Sequence, residues 1–358
     1  MKKKKILMVC EAFGGGVFAY VTQLCNDMCN EFDIYLAYSL RPQTPSDFQN
    51  KLDNSVHLIP MHAFSDKSNS ILKIYNIIKE LRSIERKINP DIIHLHSSIA
   101  GGFGRIAYHN LKKNIVYTPH GYAFILMGDG IKSKLYYYAE KFLGKIKNTL
   151  ILTCCESEDA ISKKLCRKTY YIETGLNIKS LDAQLKDIKK EEQPCFTVFT
   201  LGRACIQKQP QLFNEIAKLL PNVRFLWVGG GELENCLTAD NIEVTGWKTR
   251  EEALALAKGA DAFILCSKGE AIAMSLIENM YLKKLCLVSN TVGNKSVISD
   301  GVNGFICNEA IEYANRIQEA MANFPYKIVE NAYEDIRNVY NTNTMKDKFI
   351  KFYNRIAV

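Results

Sequence analysis

The stretch that carries the most chemical information is SKGEAIAMSLIENM, residues 267–280, where a loop with Glu270 leads directly into an apolar helix with Glu278. A helix rises about 1.5 Å per residue, so the two carboxylates are too far apart to share a proton but can hold two parts of one extended ligand. Free N–H groups and the positive end of the helix dipole at residues 273–276 favour a phosphate near Ser275. The order carboxylate, anion site, carboxylate matches an activated sugar carried on a nucleoside diphosphate.

Two cations occupy another loop, LGRACIQK at residues 201–208, which follows a predicted strand. Arg203 offers a planar fork and Lys208 a mobile point charge, so together they can clamp a diphosphate. The alternative is a pair of solvated surface charges.

The first strand ends in the glycine loop GGGVF, in which Gly15 and Gly16 let a backbone approach a phosphate or a sugar. The G-x-G-x-x-G fingerprint is absent, because Ala19 stands where its last glycine would be. Nicotinamide binding is therefore not favoured, and a plain tight turn is the alternative.

A histidine lies in a third loop, YTPHGYAF, where His120 follows a predicted strand between proline and glycine. Its nitrogens can donate to or accept from a sugar hydroxyl or a leaving oxygen. By contrast, His94 and His96 alternate with apolar residues along a strand, which favours structural roles.

Short β-rich runs alternate with helical patterns in two successive series, which is typical of parallel sheets flanked by helices. The first series predicts strands at 5–10, 33–38, 56–60, 92–96, 114–118 and 149–154, and the second predicts strands at 196–201, 224–228, 242–245, 262–265, 285–289 and 304–307. The fold class is α/β with two doubly wound domains, and we expect them to face each other across a ligand-binding cleft.

The domain boundaries follow from composition. Residues 1–176 form the first, Rossmann-like domain, and 195–330 form the second. Residues 177–194 are polar and lysine-rich without a hydrophobic period, which predicts a linker or an exposed helix. The final helical stretch, 331–358, is expected to pack back on the first domain.

Composition excludes several classes of protein. A chain of 358 residues with 47% apolar and 23% charged residues is globular, and no apolar run reaches the length of a membrane span. The start MKKKKILMVCEAF lacks a cleavage site, which predicts a cytoplasmic chain. The twelve cysteines show no metal-binding or disulfide spacing, so we assign no metal and no cofactor.

Charge is concentrated in the first half. Residues 1–180 hold 25 Lys and Arg against 16 Asp and Glu, a net +9, whereas the remainder holds 21 against 22. This half suits an acidic partner or an anionic membrane surface. Residues 131–148 interleave lysines with aromatic residues, as an interfacial helix does, although a helix packed on its sheet would look the same. Base-reading motifs are absent, so nucleic acid is not expected.

Together these residues resemble the retaining, nucleotide-sugar-dependent glycosyltransferases of the GT-B fold, family 4, over nearly the whole chain. Glu270 and Glu278 match the E-x7-E motif, Gly15 and Gly16 the Gly-Gly loop, Arg203 and Lys208 the diphosphate-binding pair, and His120 the histidine beside the donor sugar. The phrase TPHGYAF resembles the branch that builds bacterial capsules, exopolysaccharides and O-antigens.

The resemblance implies roles for these residues. Glu270 and His120 would position the donor sugar near Ala271, Ile272 and Ala273, and Glu278 would hold the ribose. Trp247 or Lys248, in the loop after Thr245, would border the base. Ala271 replaces the family's usual glycine, which places a methyl group toward the donor sugar, and Gln209 stands where a glycine often follows the lysine.

The resulting hypothesis is a retaining glycosyltransferase that moves a hexose or amino sugar from UDP to a saccharide or polyprenyl-diphosphate-linked acceptor without a metal. It would work in the cytoplasm, with peripheral contact to the inner leaflet as an option. Two alternatives stay open, a UDP-sugar epimerase on the same fold and a sugar-nucleotide-binding protein without catalysis.

Overall fold

The computed structural model describes residues 3–65, 71–126, 130–190 and 193–357. These residues form two compact units, Met1–Thr174 with Asn343–Val358, and Gly175–Thr342. Within the described ranges, no helix combines the length and apolarity that crossing a membrane requires.

The first unit is built on a seven-stranded parallel sheet with the strand order β3-β2-β1-β4-β5-β6-β7. Its strands are β1 Lys5–Phe13, β2 Asp33–Leu40, β3 His57–Pro60, β4 Ile92–His96, β5 Ile115–Thr118, β6 Thr149–Thr153 and β7 Thr169–Tyr171. Its helices are α1 Gly15–Met28, α2 Ile71–Ile88, α3 Ser98–Tyr108, α4 Ala123–Leu126, α5 Ile131–Leu143 and α6 Glu156–Ser162.

The second unit has a six-stranded parallel sheet in the order β10-β9-β8-β11-β12-β13. Its strands are β8 Thr197–Leu201, β9 Arg224–Val228, β10 Ile242–Gly246, β11 Ala262–Leu265, β12 Leu285–Ser289 and β13 Phe305–Cys307. Its helices are α7 Ile178–Leu185, α8 Pro210–Leu219, α9 Arg250–Gly259, α10 Met274–Tyr281, α11 Asn294–Val297, α12 Ala310–Ala322 and α13 Tyr326–Asn338, and α14 Thr342–Ile356 follows them.

Both sheets are doubly wound, which confirms the predicted fold class. Strands bury both faces: in β1, Ile6 and Met8 belong to one apolar cluster and Leu7 and Val9 to another. Strand order reverses between β1 and β4 in the first sheet and between β8 and β11 in the second. Ligands of such sheets bind at the carboxyl ends of these strands.

The boundaries of the units differ from the predicted ones. The predicted linker contains α7, which belongs to the second unit and buries Leu181 in its core. Helix α13 also belongs to the second unit. Of the final stretch that was predicted to pack on the first domain, only the residues from Asn343 onward belong to the first unit. Of the two predicted alternatives, a linker or an exposed helix, the exposed helix is observed at α7, and most of its eight residues face solvent.

Helix α14 completes the core of the first unit. Phe349 and Tyr353 are fully buried in the cluster that covers one face of β1, and Tyr353 Oη lies 2.7 Å from His94 Nδ1. The other His94 nitrogen, Nε2, lies 2.8 Å from Thr118 Oγ1, which donates to Leu152 O. Thr118 therefore accepts from His94, so both nitrogens of this buried ring have structural partners, as the strand pattern predicted.

Candidate active site

The switch point of the second sheet brings together Lys208 and Glu270. Lys208 follows β8 and Glu270 follows β11, the two adjacent strands at which the order reverses. The Lys208 Nζ lies 2.6 Å from Glu270 Oε1, and the two side chains are only 19% and 12% exposed. A half-buried, charge-assisted pair of this kind fixes both groups at the carboxyl edge.

Three further hydrogen bonds join the same two loops. Gln207 Nε2 donates to Gly269 O at 2.8 Å, Lys268 N donates to Gln207 O at 2.8 Å, and Gln209 Nε2 donates to Cys266 O at 2.5 Å. Gln209 has a φ of 51°, in the left-handed region that favours glycine. Its side-chain bond to Cys266 offsets that strain, which explains how glutamine stands where the family often has glycine.

Arg203 lies in the same loop but pairs with a different partner. Its Nε donates to Glu232 Oε2 at 2.8 Å, and both side chains are about half exposed. The loop after β9 approaches closely, because a Cβ on Gly231 would lie 2.5 Å from Ala204 O. Exposed ion pairs contribute little stability, so Arg203 can leave Glu232 readily for another anion. The GGGE segment at 229–232 was a signal for this contact that the sequence reading missed.

Helix α10 begins without a side-chain cap and has no acidic residue in its first turn. Its start is therefore an open, electropositive helix end near Ser275, which is half-buried. The preceding backbone is fixed, since a Cβ on Gly293 would lie 1.6 Å from Ala271 O. Ala271 and Ile272 are half-buried, and Ala273 is buried.

Glu278 projects from α10 and is held by an arginine that the sequence reading missed. Arg250, the first residue of α9, contacts both carboxylate oxygens, with Nη1 to Oε2 at 2.8 Å and Nη2 to Oε1. Glu278 is 10% exposed and Arg250 is 52% exposed. A ribose that bound Glu278 would therefore displace the Arg250 guanidinium from the carboxylate or share the carboxylate with it.

Trp247 and Lys248 follow β10 at the same edge of the sheet. Trp247 is 71% exposed, and a Cβ on Gly230 would lie 3.7 Å from its indole nitrogen. Lys248 Nζ lies 3.9 Å from Glu252 Oε1 on the surface of α9. The indole thus borders the glycine loop after β9, and its contact with a base stays a prediction.

In the first unit, Gly15 and Gly16 form the exposed start of α1 directly after β1. Gly15 has a φ of 54°, and open space surrounds both glycines where a Cβ would be. Gly14 instead packs on the loop after β2, with Arg41 Cβ 3.4 Å from its Cβ position. The two predicted glycines therefore present bare backbone at the switch point of the first sheet.

His120 follows β5 and is held by its neighbours. Its Nε2 lies 3.1 Å from His96 Nδ1, its Nδ1 lies 3.8 Å from Cys154 Sγ, and its ring meets Tyr20 edge-on at 4.7 Å. Burial lowers the pKa of His120 to about 3 and lowers the pKa of His96 well below its ordinary value. His120 is therefore a neutral, oriented ring, and both of its nitrogens face interior groups.

A carboxyl group that the sequence reading did not select holds the His120 loop. Glu158, at the start of α6, accepts the Gly121 N–H at 3.0 Å, and Tyr122 Oη lies 2.7 Å from Ser162 Oγ on the same helix. His120 and Gly121 both have positive φ, at 56° and 93°. Desolvation raises the pKa of Glu158 to about 7. Glu158 thus fixes a strained turn.

Glu11 is a second buried carboxyl that sequence reasoning missed. Ser97 Oγ donates to it at 2.6 to 2.7 Å, the Ala100 N–H donates at 3.1 Å, and Arg41 Nη2 lies 3.8 Å away. Burial raises its pKa. Ser97 has a φ of 73°, so strained residues follow both β4 and β5. The only indication of Glu11 in the sequence was that a charged residue interrupts an apolar run.

Among the residues that the structure describes, no cluster of three His, Cys, Asp or Glu side chains has the arrangement of a metal site.

Solved structures define the class of protein. Sucrose-phosphate synthase from Thermosynechococcus elongatus superposes with a TM-score of 0.80 at 16% identity over 99% of both chains. HepE of Anabaena, solved in complex with UDP and glucose, gives 0.77 at 16% identity over 98% of this chain and 100% of the other. Identities this low show the fold alone, and that fold is GT-B.

Sequence comparisons then define the family. Residues 14–169 match the model for Glycosyltransferase Family 4, and residues 182–335 match the model for Glycosyl transferases group 1. The UDP-Gal:α-D-GlcNAc-diphosphoundecaprenol α-1,3-galactosyltransferase of Escherichia coli is 27% identical over 317 residues, which cover 79% of this chain and 80% of that protein. The chain belongs to the family 4 glycosyltransferases, which confirms the resemblance, and it is a glycosyltransferase.

Proposed function

We propose that this enzyme moves a hexose or amino sugar from a nucleoside diphosphate, UDP, to a saccharide or lipid-linked saccharide acceptor, with retention of configuration. The product would belong to a bacterial capsule, exopolysaccharide or O-antigen. The observation that carries the proposal is the Lys208–Glu270 pair at the switch point, directly before the uncapped start of α10. The E. coli relative, whose name specifies UDP-Gal and a diphosphoundecaprenol-linked acceptor, supports this choice.

The first step in the proposed reaction is capture of the diphosphate. Arg203 would leave its exposed pair with Glu232, Lys208 would turn from Glu270, and the open N–H groups near Ser275 would receive phosphate oxygens. For Gly15 and Gly16 we keep the predicted role of offering backbone N–H groups to a phosphate. These donors stabilise the charge that grows on the leaving group. They make a divalent cation unnecessary, so transfer should persist in a chelator.

Loss of the Lys208 contact has a consequence for Glu270. In the pair, one carboxylate oxygen accepts from the ammonium group at 2.6 Å. Once the lysine turns to the diphosphate, both oxygens of Glu270 can accept from hydroxyls of the donor sugar. Ala271 and Ile272 would line the same sugar. The move of Lys208 from Glu270 to the diphosphate would therefore serve both recognition of the donor phosphate and recognition of the donor sugar.

Retention would follow from attack on the face that the diphosphate leaves. The acceptor oxygen forms a bond to the anomeric carbon as the bond to phosphate oxygen breaks, and the acceptor proton passes to that departing oxygen. His120 is neutral at physiological pH because burial lowers its pKa to about 3. Its proposed role is to orient the donor sugar by hydrogen bonding, after one ring nitrogen leaves His96 or Cys154.

The nucleoside would lie at the other end of α10. Glu278 would accept from the ribose hydroxyls in place of Arg250, and the exposed Trp247 would stack against the base beside Lys248. A lipid-linked acceptor would be reached from a membrane surface, which fits the basic first half of the chain.

The test is a screen of UDP- and GDP-sugars scored by nucleotide release, with and without a lipid-diphosphate-linked acceptor. We expect one UDP-sugar to bind in calorimetry and to release UDP faster with acceptor. Interconversion of two UDP-sugars without release would favour the epimerase. Binding without release under any condition would favour a protein that has lost catalysis, and no binding of any donor would contradict the proposal.

A further inference from the structure

The outward face of α5 carries an apolar stripe. Ile131, Leu135, Tyr138 and Phe142 recur at intervals of three and four residues, and they are 89%, 69%, 64% and 72% exposed. This spacing places all four on one side of the helix, over roughly 16 Å of its length. Contiguous exposed apolar side chains of this size mark an interaction surface.

The inward face of α5 shows that the stripe is not part of a core. Tyr137 packs on Phe124 at 5.4 Å, and Glu140 accepts from the buried Arg105 at 2.8 Å. After the helix, Gly144 lies against the neighbouring segment, since its Cβ would be 2.2 Å from Leu165 O. The helix is thus anchored on its sheet while its apolar stripe faces solvent.

A basic groove of about 770 Å³ lies where α5 ends. Lys141, Lys145 and Lys147 line one side, and all three are exposed. The groove includes Thr149, the first residue of β6, so it lies at the amino edge of the first sheet.

The facing side of the groove is also basic. Lys163, Lys164, Arg167 and Lys168 line it, and none of the described residues along the groove is acidic. Lys163 pairs with Asp159 at 2.9 Å, but within the described ranges the other six cations of the groove have no ion-pair partner. A concave surface lined by positive charges attracts anions strongly.

We propose that the apolar stripe of α5 and the basic groove together form a docking surface for an anionic phospholipid bilayer. The stripe would enter the boundary between headgroups and acyl chains, and the groove would take lipid phosphates. A soluble polyanion would occupy the groove and leave the stripe in water, whereas a bilayer uses both. This inference does not depend on which sugar the enzyme transfers.

The course of α5 links this surface to the candidate site. The helix follows the loop that leaves the carboxyl end of β5, which bears His120, and it ends before the amino end of β6. The stripe therefore runs along the sheet, from near the edge that carries His120 to the edge that carries the groove. A docked bilayer would present lipid-linked molecules along this line.

Co-sedimentation with vesicles tests the charge contribution. One set of vesicles is phosphatidylcholine alone, and in the other set about one third of it is replaced by phosphatidylglycerol. We expect binding to the anionic set only, and weaker binding at high salt. The variant Lys145→Glu/Arg167→Glu should lose roughly tenfold or more in affinity. The control Lys218→Glu/Lys327→Glu makes the same change of charge at exposed sites of the second unit and should bind like the wild type.

A second pair of variants tests the stripe. Leu135→Ser/Phe142→Ser should weaken binding to the anionic vesicles and make the remainder more sensitive to salt, because only attraction between charges is left. The control Ile311→Ser/Met321→Ser removes exposed apolar groups elsewhere and should have no effect.

Equal sedimentation with both sets of vesicles, no sedimentation with either, or equal binding by a test pair and its control would each overturn the proposal. Release of nucleotide from the donor, measured without vesicles, should be unchanged in all four variants. If the wild type releases no nucleotide but binds anionic vesicles, the proposed function fails and the docking surface stands.

Discussion

The carboxyl edges of the two sheets carry opposite kinds of chemistry. On the second sheet, Arg203, Lys208 and Arg250 are each paired with a carboxylate, and two of these cations are about half exposed. On the first sheet, His120 is neutral, and burial raises the pKa values of Glu11 and Glu158. The second edge holds charges that a ligand can recruit, whereas the first holds a neutral ring and two carboxyl groups whose charged forms are disfavoured by burial.

This difference separates two ways of recognising a ligand. The exposed pair of Arg203 with Glu232 exchanges partners at little free-energy cost, so it suits a diphosphate that arrives with its own charge. Buried groups on a strained backbone rearrange at a higher free-energy cost, so they suit the orientation of an uncharged sugar. Four sets of experiments, the second of which measures pH dependence at two residues, can break or sharpen this comparison, in order of decreasing expected effect.

The largest effect is expected at Glu270. Glu270→Ala should lower kcat by roughly a hundred- to thousandfold while the Kd for UDP stays nearly unchanged, because the sugar loses its positioning group and the diphosphate keeps Lys208. Steady-state transfer and calorimetry with UDP measure the two quantities. Glu278→Ala is the matched control, which should weaken UDP itself by about 1.5–3 kcal/mol. Equal losses of UDP binding in both variants would contradict the division of roles.

The next effect is on stability and depends on pH. Glu158 has a folded pKa of about 7 against an ordinary 4.5, so between these values the unfolded state ionises while the folded state keeps its proton. Stability therefore falls as pH rises through this window, by roughly 3 kcal/mol in total. Glu158→Gln has no such slope. Urea unfolding of both proteins across the window should show that the free energy of unfolding of the variant increases relative to that of the wild type as pH rises.

His120 should show the opposite slope. Its folded pKa of about 3 lies below the ordinary 6.5, so stability falls as pH drops through that window, because only the unfolded state takes up the proton. The variant His120→Gln should not show this fall in stability at low pH, because glutamine does not titrate. Parallel stability curves for the wild type and both variants would mean that these groups are not held neutral.

A smaller effect is expected on turnover from the bond between Glu158 and Gly121. Glu158→Ala should let the His120 turn relax and lower kcat about tenfold, whereas Glu158→Gln keeps an accepting oxygen and should restore most of it. In a His120→Ala background, Glu158→Ala should add little, because its effect passes through His120. Additive losses would show that Glu158 supports packing in general and not this ring.

The smallest effect is expected at Arg250. If ribose and guanidinium compete for Glu278, Arg250→Ala should tighten UDP binding by about two- to threefold, since a half-exposed pair is screened by solvent. The gain should shrink at high salt. Weaker UDP binding would show instead that Arg250 contacts the nucleotide or holds Glu278 in place for it.

The framework of both sheets was predictable because parallel strands buried on both faces leave long apolar runs. All twelve predicted strands are present, and Lys5 begins the first of them. The edge strand β7 was missed because its three residues, Thr169–Tyr171, have no buried side and so no apolar signature. Loops at strand ends were equally predictable as places for Lys208, Glu270 and His120.

The partners of those side chains were not predictable. Arg250 reaches Glu278 from a helix 28 positions away, and Glu232 reaches Arg203 across 29. Neither pair has a periodic spacing, because both depend on how separate strand ends lie beside each other. Glu11 was overlooked because a single charge in an apolar segment looks like an interruption until its donors are known. Glu158 was overlooked because it stands between Glu156 and Asp159 in an acidic run, where nothing in the sequence marks one carboxylate as buried.

The contribution of α14 to the first core has a consequence for synthesis. The second unit, Gly175–Thr342, leaves the ribosome before residues from Asn343 onward complete the first. At about 5–20 residues per second, the first 174 residues would wait roughly 10 to 40 s for Phe349 and Tyr353. During that interval the apolar face that α14 covers would be open to water and to chaperones. The half of the enzyme that is made first would then be the half that finishes folding last.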